Sequence, residues 1–198
     1  MRAATSETIL LEALLPRATL VQNVLLVVAG SLLVALCAQI AVPLPFSPVP
    51  VTGQTFAVLL LGATFGARRA AVALLLYLAE GAAGLPVFAP MGAPGLARFA
   101  GPTGGYLLAY PLAAFVLGTL LETAARRRLW YWLGAALAAE TIILAGGAAW
   151  LKWVTRANWE QALLLGVVPF LPGDLIKVAL VAVCLPASWW AVERRRQS

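Results

Sequence analysis

Past Leu20 the chain consists of apolar runs of roughly bilayer-spanning length, divided by short arginine clusters or by proline and glycine. Hydrophobic residues make up 62% of the chain and charged residues 11%. The mean hydropathy of +0.91 is a membrane value and excludes an ordinary soluble domain. Where lipid replaces water, backbone N–H and C=O groups must pair within the chain, and apolar runs of this length satisfy them as helices. The reading is a single integral membrane domain over residues 1–198, all-α, with six transmembrane helices. Their expected spans are 20–42, 51–67, 70–85, 103–121, 129–153 and 172–190.

Net charge is +6, yet the bases fall in short clusters between apolar runs rather than on one helix face. That pattern is a topology signal and gives no reason to expect nucleic acid. With the N-terminus inside, ten basic residues (Arg2, Arg17, Arg68, Arg69, Arg126 to Arg128, Arg194 to Arg196) are cytoplasmic. Three (Arg98, Lys152, Arg156) are outside, so both termini are expected in the cytoplasm. Trp130, Trp132, Trp189 and Trp190 would then belt the inner interface, and Trp150, Trp153 and Trp159 the outer one. Residues 3–17 suit an interfacial amphipathic helix ending at Pro16, and they lack the pattern of a cleavable signal peptide.

Several chemistries have no residues to carry them. The chain has no His, so imidazole acid–base work and the commonest metal ligation are closed. Cys37 and Cys184 are isolated within apolar runs, with no redox or disulfide pattern. No phosphate-binding G-x-x-x-x-G-K-[ST] loop occurs, so any uphill transport must be energised by other chains. A membrane transferase would need a nucleophile or an acidic metal motif, and neither is visible. Neither enzyme activity nor a cofactor is expected.

The segment Pro169-Phe-Leu-Pro-Gly-Asp-Leu-Ile-Lys177 holds the most informative charges. Asp174 and Lys177 are three residues apart, a helical spacing that puts them on one face. Charges at membrane depth are costly unless they pair or line a wet cavity. A structural ion pair is the plain alternative, but the preceding Pro-Gly opens the helix there and leaves backbone N–H groups beside the pair. In the expected topology the second, fourth and sixth spans all begin outside, at Thr52, Thr103 and Pro172-Gly173. Thr52 and Thr103 are expected as helix caps. Three positive dipole ends, Arg98 and Lys177 would gather there, a setting for an anionic solute. Asp174 with Lys177 complements an amide- or urea-like group, and Arg98 is free to fork onto a carboxylate. The ligand so drawn is a small amphiphile with a polar head, an apolar middle and a carboxylate.

Elsewhere, Pro43 to Pro50 carries four prolines and reads as a stiff, extended connector. Gln54 is a polar side chain that can face a cavity. The Gly/Pro-rich stretch from Gly81 to Gly101 is too apolar for disorder and long enough to be functional. Ser31 and Ala35 form a small-residue strip suited to close helix approach, either within the chain or with a partner. Glu80 and Glu140 are intramembrane acids for which structural pairing is the first reading. Ion coupling through them is the alternative, giving an ion-coupled secondary transporter of a small carboxylate-bearing amphiphile.

The runs Pro48-Val-Pro-Val-Thr-Gly-Gln-Thr-Phe56, Gly84-Leu-Pro-Val-Phe-Ala89, Gly101-Pro-Thr-Gly-Gly-Tyr106 and Pro169 to Lys177 resemble, in order and spacing, the signature segments of the BioY family. These are the biotin-binding S components of energy-coupling factor (ECF) transporters. The resemblance covers about residues 20–190. It implies high-affinity biotin capture by a six-helix subunit of the bacterial cell membrane, surrounded by lipid. It also implies docking on a transmembrane coupling protein that carries two cytoplasmic ATPases, with toppling to release the vitamin inward. Position by position, Asp174 and Lys177 match the polar pair of the family's last helix, and Arg98 the basic residue of the long outer loop. Gln54, Tyr106 and Tyr77 are further candidates for the substrate site. The loop departs from the family's glycine-rich form, reading Pro90-Met-Gly-Ala-Pro-Gly95. The strip at Ser31 and Ala35 resembles the surface with which S components dock on the coupling protein.

Overall fold

The computed structural model describes residues 18–123 and 129–183. The expected interfacial helix at 3–17, the cluster Arg126 to Arg128, and everything from Cys184 onward lie outside the described residues. The first helix, α1 (Leu20–Gln39), starts with a reciprocal capping box between Thr19 and Gln22. A hairpin of β1 (Ala41–Leu44) and β2 (Ser47–Thr52) follows, then α2 (Gln54–Phe65) and α3 (Ala67–Ala82). A one-turn helix, α4 (Ala97–Ala100), interrupts the long loop before α5 (Gly104–Thr123) and α6 (Leu129–Thr155). The short α7 (Trp159–Gly166) is capped by Asn158 and bends by 55° into α8 (Leu171–Val183).

Among the described residues three helices, α1, α5 and α6, are long and apolar enough to cross a membrane, and the α7–α8 pair makes four if counted as one broken span. At 12 residues α2 rises only about 18 Å, short of a hydrocarbon core of about 30 Å. The expected span 51–67 is therefore corrected: Val51 and Thr52 belong to a strand, and the helix covers only Gln54–Phe65. Gly66, at φ 80°, turns the chain sharply into α3, which runs 67–82 rather than 70–85.

The hairpin also corrects the all-α expectation and the plain connector. Its antiparallel register pairs Ala41 with Thr52, Val42 with Val51 and Leu44 with Ser47. Prolines stand at positions 43, 45, 48 and 50, leaving every second residue with an N–H to spend on the ladder. Ser47 Oγ–H donates to the Leu165 carbonyl at 2.7 Å, tying the hairpin to α7. Thr52 does not cap α2 as its N-cap residue, which is Gly53, but its hydroxyl accepts the Gln54 N–H at 3.4 Å. Thr103 lies in the turn that precedes α5.

Of the two readings of the small-residue strip, packing within the chain is the one seen: Ser31 is fully buried and Ala35 nearly so. Ser31 Oγ–H donates to Glu80 at 3.1 Å, which supports the structural reading of that acid. The opposite face of α1 is apolar and exposed, as at Leu25 and Leu36. Close helix approach elsewhere also depends on small residues. A Cβ on Gly118 would lie 2.2 Å from the Ala67 nitrogen, and one on Gly105 2.4 Å from the Gly146 carbonyl oxygen. At the same end of α3, Glu122 of α5 accepts the Ala67 N–H at 2.8 Å, satisfying a helix-start donor. One continuous core, including Leu59, Leu74, Tyr77, Leu117 and Ile143, joins α1 to α8.

Candidate functional site

Three helix starts meet in one place. The beginnings of α2, α5 and α8 bring Gln54 and Thr55, Thr103 and Tyr106, and Asp174 and Lys177 around a single open cleft. The hairpin contributes Val49 and Pro50 to its wall, and the long loop contributes Phe88 and Arg98. The empty space in and over the cleft, open solvent included, is about 540 Å³. Of the six expected site residues, five line it. Tyr77 does not: it is fully buried behind the wall, its hydroxyl accepting from Gln54 Nε2 and its ring edge-on to Phe88 at 5.4 Å. From there it braces Gln54.

Asp174 falls in the first turn of α8, its N–H donating to the Phe170 carbonyl at 2.9 Å. Lys177, one turn on, donates to Asp174 Oδ1 at 2.8 Å. The ammonium also donates to Thr55 Oγ1 at 2.8 Å, and the Thr55 hydroxyl lies 3.5 Å from Asp174 Oδ1. With Asp174 buried and Lys177 half-buried, this is a desolvated pair held by a third polar group from another helix. Thr55 was not anticipated from sequence, because a helical Thr most often spends its hydroxyl on its own helix backbone. Its place one position after Gln54, facing the charged pair, is visible only in three dimensions.

Arg98 is in the cleft but not free, which corrects the sequence expectation. It is 6% exposed, and its two terminal nitrogens donate to the Met91 and Ala89 carbonyls. Its Nε is buried without a partner. Gly92, at φ 104°, makes room: a Cβ there would sit 2.3 Å from the guanidinium. The guanidinium also lies 5.7 Å from the centre of the Phe88 ring. Burial pulls it below the ordinary arginine value, and a guanidinium has enough margin to stay charged. Gln54 is buried and held at both ends, accepting from Thr52 Oγ1 at 3.0 Å while donating to Tyr77. Tyr106 lines the cleft with its ring, its hydroxyl committed to the Gly166 carbonyl where α7 ends.

The cleft thus carries two cations against one aspartate, with apolar walls from Phe88, Tyr110, Ile143 and Phe170. Such a site suits a ligand with one negative charge, an apolar body and a group that both donates and accepts hydrogen bonds. Among the described residues no cluster of Cys, Asp and Glu has the make-up of a metal site.

Comparison with known proteins agrees with this architecture. The BioY family model matches residues 6–194. The biotin transporter BioY2 of Lactococcus lactis is 36% identical over 168 residues, covering 83% of this chain and 88% of its own length. The biotin transporter BioY of Rhizobium etli is 35% identical, covering 81% and 88%. A crystal structure of the S component for biotin from an ECF-type ABC transporter superposes with a TM-score of 0.76 at 25% identity. That match covers 90% of this chain and 92% of the solved one. Sequence and fold agree over nearly the whole length, and the chain belongs to the BioY family.

Proposed function

We propose that this chain is the biotin-specific S component of an ECF-type transporter, capturing the vitamin in the cleft at the heads of α2, α5 and α8. The observation that carries this reading is the buried Asp174–Lys177 pair sharing one cleft with Arg98. Biotin offers a ureido ring that donates and accepts, a thiophane and aliphatic chain for the apolar walls, and a carboxylate for the surplus positive charge. The membrane relatives named above support the same ligand.

The proposal includes six crossings of the cell membrane with both termini cytoplasmic. Ten inner against three outer basic residues support that orientation, with α2, α3 and the broken α7–α8 pair completing the count. The cleft then opens outward under the hairpin and the loop 83–103. Release requires a transmembrane coupling protein and two cytoplasmic ATPases, since the sequence carries no phosphate-binding G-x-x-x-x-G-K-[ST] loop. The exposed apolar face of α1, rather than the buried Ser31 strip, is the surface left for lipid and coupling protein.

The test is to identify by mass spectrometry the small molecule that co-purifies with the protein from cells grown with biotin. Stoichiometric biotin is expected. A different molecule in stoichiometric amount would overturn the assignment.

A further inference from the structure

Three tyrosines stand at or behind the cleft wall, and they spend their hydroxyls differently. Tyr77 accepts from Gln54, and Tyr106 donates to the Gly166 carbonyl. Tyr110 also lines the cleft and is 3% exposed. Among the described residues its hydroxyl has no hydrogen-bond partner, and it is not one of the buried polar atoms sealed from any opening. The opening beside it is the cleft, so a molecule held there is what can meet that hydroxyl.

Helix geometry gives the depth of this group. Thr103, Tyr106, Leu107 and Tyr110 all line the cleft and recur at spacings of three and four, so one stripe of α5 faces it. Tyr110 lies six residues past Gly104, about 9 Å along α5 from its start. Lys177 lies six residues past Leu171, where α8 begins. Both helices start at the cleft, so the phenol and the ammonium reach a similar depth. Arg98 is carried by the loop before α5 instead.

A desolvated hydroxyl that bonds nothing in the protein costs stability relative to Phe, which fills the same space. A binding site recovers that loss when the ligand supplies the partner. A phenol both donates and accepts, and so does the amide- or urea-like group that Asp174 and Lys177 complement at the same depth.

We propose that Tyr110 is a ligand-binding residue whose hydroxyl bonds the ureido head of the vitamin at the inner end of the cleft, beside Lys177, leaving the carboxylate for Arg98. This rests on the biotin reading and adds to it a specificity-determining group and an orientation for the ligand. A molecule of the same shape with an apolar head would leave the hydroxyl stranded, and the site discriminates against it on that ground.

The test uses the detergent-purified full chain and Tyr110→Phe, which removes a single oxygen. Without ligand the variant is expected to melt at or above the wild-type temperature, because the hydroxyl has no protein partner to lose. It is expected to bind biotin about fivefold to tenfold more weakly. Biotinamide, altered only at the carboxylate end, should be weakened by the same factor. A lower melting temperature would give the hydroxyl a structural partner, and wild-type affinity for biotin would remove it from the site. A loss seen with biotin but absent with biotinamide would put it on the carboxylate. Each of these three results overturns the proposal. Failure of wild type to bind biotin would instead strike the ligand reading, while the ligand-free melting comparison still reports whether the hydroxyl is spent on the protein.

Discussion

Thr55 near the start of α2 and Lys177 on α8, 122 residues apart in sequence, are joined by a hydrogen bond of 2.8 Å. The bond sets where the ammonium stands. Lys177 has three donors, of which Asp174 and Thr55 take one each, leaving one to aim into the cleft.

Removing that acceptor should therefore loosen the cation without unfolding the bundle. Thr55→Val, which keeps the shape and loses the hydroxyl, is expected to weaken biotin binding about fivefold to tenfold. Thr55→Ser should bind like wild type. Titration calorimetry on the purified variants checks both, and an unaffected Thr55→Val would mean that the contact does not shape the site.

Arg98 serves two purposes that can be separated. Its terminal nitrogens hold the Met91 and Ala89 carbonyls, and its charge faces the cleft. Arg98→Ala should make amide hydrogen exchange faster at residues 89–92 and weaken biotin binding. Wild type should prefer biotin to biotinamide, and Arg98→Ala should bind the two alike. A preference that survives the substitution would assign the carboxylate to another partner.

Packing at the α5–α6 contact gives a stability prediction. A Cβ on Gly147 would fall 2.0 Å from the Tyr106 ring, whereas one on Gly134 meets nothing within 4 Å. Gly147→Ala should destabilise the protein by about 1–3 kcal/mol and displace a cleft-lining ring. Gly134→Ala should be neutral or slightly stabilising, since Ala is the better helix former. Thermal unfolding in detergent measures both, and equal melting temperatures for the two variants would contradict the packing described.

The expected orientation is open to a labelling experiment in a Cys37→Ala, Cys184→Ala background. A cysteine replacing Phe46, the 62%-exposed residue at the hairpin tip, should react with an impermeant maleimide on intact cells. One replacing Arg68, at the start of α3, should react only in inside-out vesicles. The reverse pattern would invert the topology.

The long helices were legible because apolar length is all that a lipid-crossing helix requires, and α1, α5 and α6 lie within a few residues of their expected bounds. The site was legible in part for a related reason. Charges as expensive as Asp174 and Lys177 stand out against an apolar background, and a spacing of three places them on one face. What escaped depended on distant groups meeting. The Pro43 to Pro50 segment looks like a strandless connector until the alternation of its prolines is matched against a partner strand. Arg98 looks free because the carbonyls that capture it come from a loop closed by Gly92. Ser31 and Ala35 have the composition of a docking strip, but only the folded packing reveals that they are already covered within the chain.

The central claim is that opposite charges at the head of α8 hold the ligand, and titration of purified Asp174→Ala and Lys177→Ala with biotin tests it most directly. Each variant strands its partner's charge in a desolvated site, a loss of about 3–5 kcal/mol or at least a hundredfold in affinity. Wild-type affinity in either folded variant would contradict the account.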